Sequence, residues 1–147
     1  MKISTKGRYG LRAMLDIAVN SAGDHVALNS IADRQEVSES YLEHVFSMLK
    51  KAGLVKSIKG AQGGYMLTDK PSNISVGQVL RALEGDLSVV DETEDVGNKK
   101  SMEYCISNTV WKKINAGIKQ VVDSITLEQL ADEYKKMNGN ISMMFYI

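Results

Sequence analysis

The chain has 147 residues, with 18 Lys and Arg, 18 Asp and Glu, two His, one Cys and one Pro. A single cysteine excludes an intrachain disulfide, a zinc site made of several cysteines and an all-cysteine iron–sulfur cluster built from one chain. The sequence has no apolar run of about 18 residues and no apolar segment behind its first residues. We therefore expect a cytoplasmic protein with no membrane span and no secretory signal.

The first half of the chain predicts three helices. Apolar residues at helical spacing place the first over residues 8–20 and the second at about 29–35. The third begins near Ser38, a favourable N-cap, although Ser40 and Glu43 also have the capping-box spacing, and it runs to about residue 51. The predicted inward-facing residues are Leu11, Met14, Leu15, Ala18, Val19, Ile31, Ala32, Leu42, Val45, Phe46 and Leu49.

A glycine-rich hairpin and a fourth helix follow. Two short strands are predicted at residues 54–59 and 65–68, joined by the loop 60–64. Ser75 and Gln78 have the spacing of a capping box and begin a helix that Gly85 ends. This order predicts a fold that is mainly α with a small β-hairpin, in which residues 1–85 form a winged helix-turn-helix DNA-binding domain.

The second half of the chain predicts an acidic linker over residues 86–99 and a dimerisation helix, a last helix and a C-terminal tail over 100–147. Thr126 and Gln129 cap the last helix, and Gly139 is expected to end it. The long helix, about 100–124, has more apolar residues than a small winged domain can cover, so we expect it to pair with its copy in a homodimer. Packing against the last helix is the alternative. The residues assigned to dimerisation are Ile106, Val110, Ile114, Ile118, Val121 and Val122.

Charge is unevenly distributed along this neutral chain. Residues 1–64 carry nine cations and six acids, residues 65–104 four cations and eight acids, and residues 105–147 five cations and four acids. Two blocks of cations without an acid, in the first twelve residues and between positions 50 and 59, are typical of a surface that binds a polyanion. A merely solvated surface is the alternative.

Recognition in a DNA groove needs a helix with short polar side chains on its exposed N-terminal end. The third helix has them, and the hairpin adds lysines beside glycines that let a backbone approach a narrow groove. Helix caps, solvated polar positions and an ordinary turn are the alternatives. The predicted DNA-binding residues are Ser38, Ser40, Tyr41, Glu43 and His44 in the helix, and Lys56, Lys59, Gly63 and Gly64 in the hairpin.

The two histidines and the cysteine show no catalytic or metal-ligand spacing, so we expect neither an enzyme nor a metal site. Cys105 adjoins the inward Ile106, which favours a buried structural thiol. A thiol that senses oxidation is the alternative.

Three segments carry a family resemblance: MKISTKGRYGLRAMLDIA, VSESYLEHVFSMLKKAGLVKSIKGAQGGYML and SVGQVLRALEG. They resemble the Rrf2 family of transcriptional regulators, and the match covers essentially the whole chain. The resemblance implies a homodimeric repressor that binds a palindromic, double-stranded DNA operator. Carried over by position, it implies DNA contacts from Ser38, Ser40, Tyr41, Glu43, Lys59, Gly63 and Gly64, and it adds Lys2, Thr5 and Tyr9 as phosphate contacts.

Many members of this family hold an iron–sulfur cluster through three cysteines before the long helix. The corresponding segment here is DLSVVDETEDVGNKKSMEYC, with Cys105 as its only cysteine. This difference implies a regulator without a cluster, so we expect no cofactor.

The chain shares three features with members of the family that repress cysteine metabolism. They are the missing cysteines, the segment SITLEQLA and the ending MMFYI. Those repressors act with cysteine synthase, the O-acetylserine thiol-lyase, which implies the same partner here. A free carboxylate on an apolar residue can enter a substrate pocket, so Phe145, Tyr146 and Ile147 are the predicted partner-binding tail. The alternatives are a tail that packs on the dimer, a module whose main role is to bind and inhibit the synthase, and a redox regulator that uses Cys105.

Overall fold

The computed structural model describes residues 2–91 and 98–146, without the side chains of residues 140–146. Its elements confirm a mainly helical fold with one antiparallel hairpin. They are α1 (Thr5–Asn20), α2 (Leu28–Gln35), α3 (Glu39–Lys51), β1 (Val55–Ile58), β2 (Gly64–Leu67), a 3-10 turn (Pro71–Asn73), α4 (Val76–Glu84), α5 (Met102–Ile106), a π-helical segment (Ser107–Trp111), α6 (Lys112–Ser124) and α7 (Leu127–Tyr146).

Side-chain caps begin the helices where the sequence predicts them. The Ser38 hydroxyl accepts the Tyr41 N–H at 3.2 Å, which places the start of α3 at Ser38 and not at Ser40. Ser75 and Gln78 form the full capping box of α4. Thr126 and Gln129 exchange the equivalent pair of bonds, at 3.1 and 3.0 Å, at the start of α7.

The predicted apolar stripe of α3 is confirmed, whereas that of α1 is confirmed only in part, since Met14 is buried and Leu11 and Ala18 pack on the core while half-buried. Leu42, Val45, Phe46 and Leu49 are all buried. The buried residues of α1 are Gly7, Gly10, Ala13, Met14, Asp16 and Ile17, while Leu11, Leu15, Ala18 and Val19 are half-buried. The physical reason is close packing: a Cβ at Gly7 would overlap Glu84, and one at Gly10 would overlap Leu83, so α1 turns its smallest residues toward α4.

The hairpin is tied to the helices on two sides. Val26, in the loop between α1 and α2, pairs with Tyr65 through backbone bonds of 2.8 and 2.9 Å. The Tyr65 ring stacks on Phe46 of α3 with 4.4 Å between centroids. The hairpin therefore has a fixed position relative to α3.

The last helix begins in the core of the winged half. Leu127 and Ala131 are buried, and a backbone bridge joins Ser75 to Thr126. α7 then continues to Tyr146, so the prediction that Gly139 ends it is wrong. A glycine inside a helix costs only about 1 kcal/mol, so a glycine does not by itself end a helix.

The start of the predicted linker packs on the protein. Leu87 is buried in a cluster with Val76 and Leu80. The Asn115 side chain accepts the Val89 N–H at 2.8 Å and donates to the Val90 carbonyl at 3.2 Å. Residues 92–97 of the linker lie outside the described residues, and the proposed domain boundaries stay a prediction. Within the part of the chain that the structure covers, none of the helices is long and apolar enough to cross a membrane.

Candidate nucleic-acid interface

The N-terminal half of α3 presents a polar face to solvent. Ser40, Glu43 and His44 are exposed on the side opposite the buried stripe. Tyr41 differs, because it is half-buried and packs against the core. The exposed side chains have the size and position that contacts with base edges in a major groove require.

Ser38 is the N-cap of α3, which confirms the alternative that its side chain caps the helix. Its oxygen accepts a backbone bond, and its hydroxyl hydrogen remains available for donation. The same side chain can therefore cap the helix and donate to a phosphate.

An aromatic pair brings the N-terminal helix to α3. The Tyr9 and Tyr41 rings meet edge to face with 6.1 Å between centroids. The Arg12 guanidinium lies 4.6 Å from the Tyr9 centroid and donates to the Gln35 carbonyl at 2.9 Å. Lys2 and Thr5 are exposed near the start of the same helix. Thr5 and Tyr9 thus lie on an element that touches α3, and Lys2 lies just before that element.

A buried carboxylate holds α2 against α1. Asp16 accepts two bonds from the Arg34 guanidinium, at 3.0 and 2.8 Å, and one from the Gln35 amide at 2.9 Å. The hydrogen bond to Asp16 raises the pKa of Arg34 above its ordinary value. Arg34 is one of the cations counted in the N-terminal half, and its guanidinium is therefore already bound to Asp16 within the fold. An acid inside the apolar stretch MLDIA is the signal that could have indicated this pair.

The hairpin, which we call the wing (residues 55–67), carries Lys56 and Lys59 exposed. The Lys50 ammonium donates to the Ser57 hydroxyl at 2.9 Å and so links α3 to β1. Gly63 and Gly64 are half-buried. A Cβ at Gly63 would overlap the Ile58 carbonyl, and one at Gly64 would overlap the Val26 carbonyl. Both positions therefore need glycine for the packing of the wing itself.

The six predicted dimerisation residues divide into two groups. Ile106, Val110, Ile114 and Val121 are exposed large apolar residues, and Ile114 is 40% exposed. Ile118 and Val122 instead pack on the cluster of Val76, Leu80 and Leu87 in the same chain. The latter two therefore support α6 on the winged half.

Cys105 is exposed, so the expectation of a buried structural thiol is wrong. The chain has no second cysteine, and no group of three His, Cys, Asp or Glu in the described residues could hold a metal ion. The residues present do not fit a cluster held by three cysteines of one chain. Phe145 and Tyr146 lie in α7 by their backbone, and Ile147 lies outside the described residues.

Comparison with known proteins identifies the class of this interface. The Rrf2 family, described as an iron-dependent transcriptional regulator, matches residues 3–133. The HTH-type transcriptional regulator CymR of Bacillus subtilis is 46% identical over 131 residues, which are 89% of this chain and 90% of the relative. These relatives are named as transcriptional regulators, not as enzymes.

Solved structures agree with the sequence comparison. The structure of CymR (YrzC), described as the global cysteine regulator of B. subtilis, matches with a TM-score of 0.76 and 44% identity, over 90% of this chain and 98% of that one. T. potens IscR matches with a TM-score of 0.73 and 42% identity, over 93% of this chain and 90% of that one. The chain therefore belongs to the Rrf2 family of winged-helix transcriptional regulators.

Proposed function

We propose that the protein is a homodimeric repressor that recognises a palindromic DNA operator and uses no metal cofactor. One observation carries the proposal: α3 exposes a polar N-terminal face and contacts both α1 and the lysine-bearing wing. A recognition helix flanked by phosphate-binding elements has the arrangement that groove recognition needs.

The contacts divide into two kinds. Ser40, Glu43 and His44 are the candidates for contact with base edges, where Glu43 can accept from a cytosine amino group. Phosphate contacts fix register and orientation but carry no sequence information directly. The candidates for these are Lys2, Thr5, Tyr9, Ser38, Lys56 and Lys59.

Selection of bound duplexes from a random DNA pool tests this function. We expect enrichment of a palindrome whose half-sites are separated by about one helical turn, because two copies of α3 in a symmetric dimer meet successive turns of one groove. Failure to enrich any sequence, or enrichment of a motif without symmetry, would contradict a symmetric DNA-binding dimer. Running the selection with and without cysteine synthase reports the effect of that partner.

Lys59→Ala tests the role of the wing. We expect weaker binding to the selected duplex and to unrelated duplexes alike, and a salt slope of log affinity that is smaller by about 1, because one phosphate contact is lost. Affinity measured at several salt concentrations checks this. Lys136→Ala on α7 removes another exposed lysine outside the proposed interface and is the matched control. A Lys59→Ala variant with unchanged slope and affinity would remove the wing from the interface.

The regulated genes are proposed to be those of cysteine and sulfur metabolism, with cysteine synthase as the co-repressing partner. The support is the 46% identity to CymR of B. subtilis and the description of the solved CymR as a global cysteine regulator. The apolar ending MMFYI supports the tail as the contact with the synthase.

One added residue after Ile147 tests the tail. The extension moves the carboxylate away from the Ile147 side chain, so we expect loss of most of the affinity for cysteine synthase in calorimetric titration. An extension of one residue before Met1 is the control. Binding that survives the C-terminal extension would refute the tail as the contact, and absence of binding by the unextended chain would refute the partner.

A further inference from the structure

His25 joins the loop after α1 to the tip of the wing. Its Nδ1 lies 2.8 Å from Asp24 Oδ1, and its Nε2 lies 2.5 Å from the carbonyl oxygen of Gln62. Gln62 belongs to the loop between β1 and β2. The ring is therefore held at both nitrogens, by two segments that are 37 residues apart in sequence.

The chemistry of these contacts determines the protonation of the ring. An ionised carboxylate and a backbone carbonyl can only accept hydrogen bonds. A neutral imidazole has one N–H donor and one lone pair, whereas an imidazolium has two donors. Both contacts are hydrogen bonds only when the ring carries both protons. Loss of one proton would leave a nitrogen lone pair facing an oxygen.

We propose that His25 is a positioning residue of the DNA interface, which as an imidazolium fixes the tip of the wing to the loop after α1. The proposal rests on the proposed function, because it assumes that the wing contacts DNA. It deepens that function by making the affinity for DNA depend on the protonation of a residue outside the recognition helix.

The wing tip needs such a tether. The loop between β1 and β2 holds Gly60 and Gly63, and Gly60 has a φ of 111° that other residues rarely adopt. Lys59 is the first residue of this loop. A tip that is fixed before binding loses less conformational entropy when it meets DNA, so the tether increases affinity without any contact of its own with DNA.

The electrostatic surroundings favour the charged ring. The hydrogen bond to the Gln62 carbonyl, followed by that to Asp24, raises the pKa of His25 above its ordinary value, while the bond from the His25 backbone N–H lowers the pKa of Asp24. Asp24 supplies the charge that acts on the ring. Among the described residues, the charged groups that line a cleft with Asp24 beside this junction are Lys56, Asp69, Lys70 and Lys135.

The sign of the pH dependence follows from the raised pKa. The tether is complete below the ordinary histidine pKa of about 6.5 and is lost as the pH rises through the higher value of the folded state. The affinity for DNA should therefore fall as the pH rises through that window.

A first measurement uses the free protein. The chain has two histidines, so His44→Gln leaves His25 as the only imidazole signal. We expect ring ¹⁵N shifts of a doubly protonated imidazole below the transition, a midpoint above about 6.5, and amide shifts of Gln62 and Gly63 that follow the same midpoint. A single neutral tautomer at pH 6.5, or wing amides that ignore the transition, would overturn the proposal.

A second measurement uses the duplex recovered by selection. We expect the affinity of the unmodified protein to fall about threefold to tenfold as His25 loses its proton, the range that loss of one hydrogen bond produces. His25→Gln keeps one donor but cannot titrate, so it should bind the duplex without this transition. Equal pH dependence in the unmodified protein and His25→Gln would overturn the proposal. Failure of the unmodified protein to bind any duplex would instead overturn the proposed function. The ring ¹⁵N shifts would still show whether His25 holds the wing tip as an imidazolium.

Discussion

Asp16→Ala is expected to lower the free energy of unfolding by about 2 to 4 kcal/mol. The Asp16 side chain is 0% exposed and accepts bonds from Arg34 and Gln35, so its removal breaks the join between α1 and α2. The Arg34 side chain is 41% exposed, and water can take up part of the lost contact. The loss should therefore lie toward the lower end of the range for a buried pair. Urea unfolding at one protein concentration measures it.

Asp33→Ala is the matched control for this prediction. Asp33 lies on α2 beside Arg34 and is exposed, so the variant makes the same change in charge without breaking a buried contact. We expect it to change the free energy of unfolding by less than about 0.5 kcal/mol. Similar losses in the two variants would show that Asp16 acts through net charge and not through its bonds. If Asp16→Ala folds with α2 displaced, α3 is displaced as well. Affinity for DNA should therefore fall further in Asp16→Ala than in the control.

Local patterns predict α3 well because all its signals agree. The cap at Ser38, the apolar stripe from Leu42 to Leu49 and the glycine after its end each depend on residues within a few positions of one another. The exposed face of the helix follows from the buried one. The candidate contacts Ser40, Glu43 and His44 could therefore be placed on that face from the sequence.

The pattern of α1 misleads for a physical reason. Hydrophobic periodicity favours a face with Leu11 and Leu15, because large apolar side chains dominate it. The actual contact of α1 with α4 requires the two helices to lie close together. Gly7 and Gly10 allow this because they have no side chains. Asp16 lies on the buried side because Arg34 and Gln35, from another helix, satisfy its oxygens. Periodicity within one helix cannot show a partner in another.

The remaining features also depend on contacts between residues that are far apart in sequence. The wing glycines are predictable as a turn, but the overlap of a Gly64 side chain with Val26 arises only once the loop after α1 joins the hairpin. The contact of His25 with Gln62 has the same origin. Gly139 illustrates the opposite case: a residue that commonly ends helices continues one here.

Ile114→Lys is expected to separate the proposed dimer and to weaken binding to the selected duplex by at least about a hundredfold. Ile114 belongs to the exposed apolar stripe of the α5–α6 segment, with Val110 and Val121. A Cβ at Gly117, between them in sequence, would meet no atom of the described residues within 4 Å. If a second copy covers this stripe, a lysine at its centre would be buried without a partner, which costs several kcal/mol. A monomer would then hold one half-site with one recognition helix. Sedimentation velocity and affinity for the selected duplex measure the two effects.

Gln120→Lys distinguishes the proposed interface from a general effect of charge. Gln120 is exposed on α6, off the stripe of Val110, Ile114 and Val121, and the variant adds the same cation to the same helix. We expect a dimer and nearly unchanged affinity. Affinity for a single half-site should also stay unchanged in Ile114→Lys, because Ile114 is exposed and Ile118 and Val122 pack α6 on the winged half. A dimeric Ile114→Lys would show that the stripe is not the interface. A monomer that binds the palindrome as tightly as the unmodified protein would show that symmetry does not contribute to recognition.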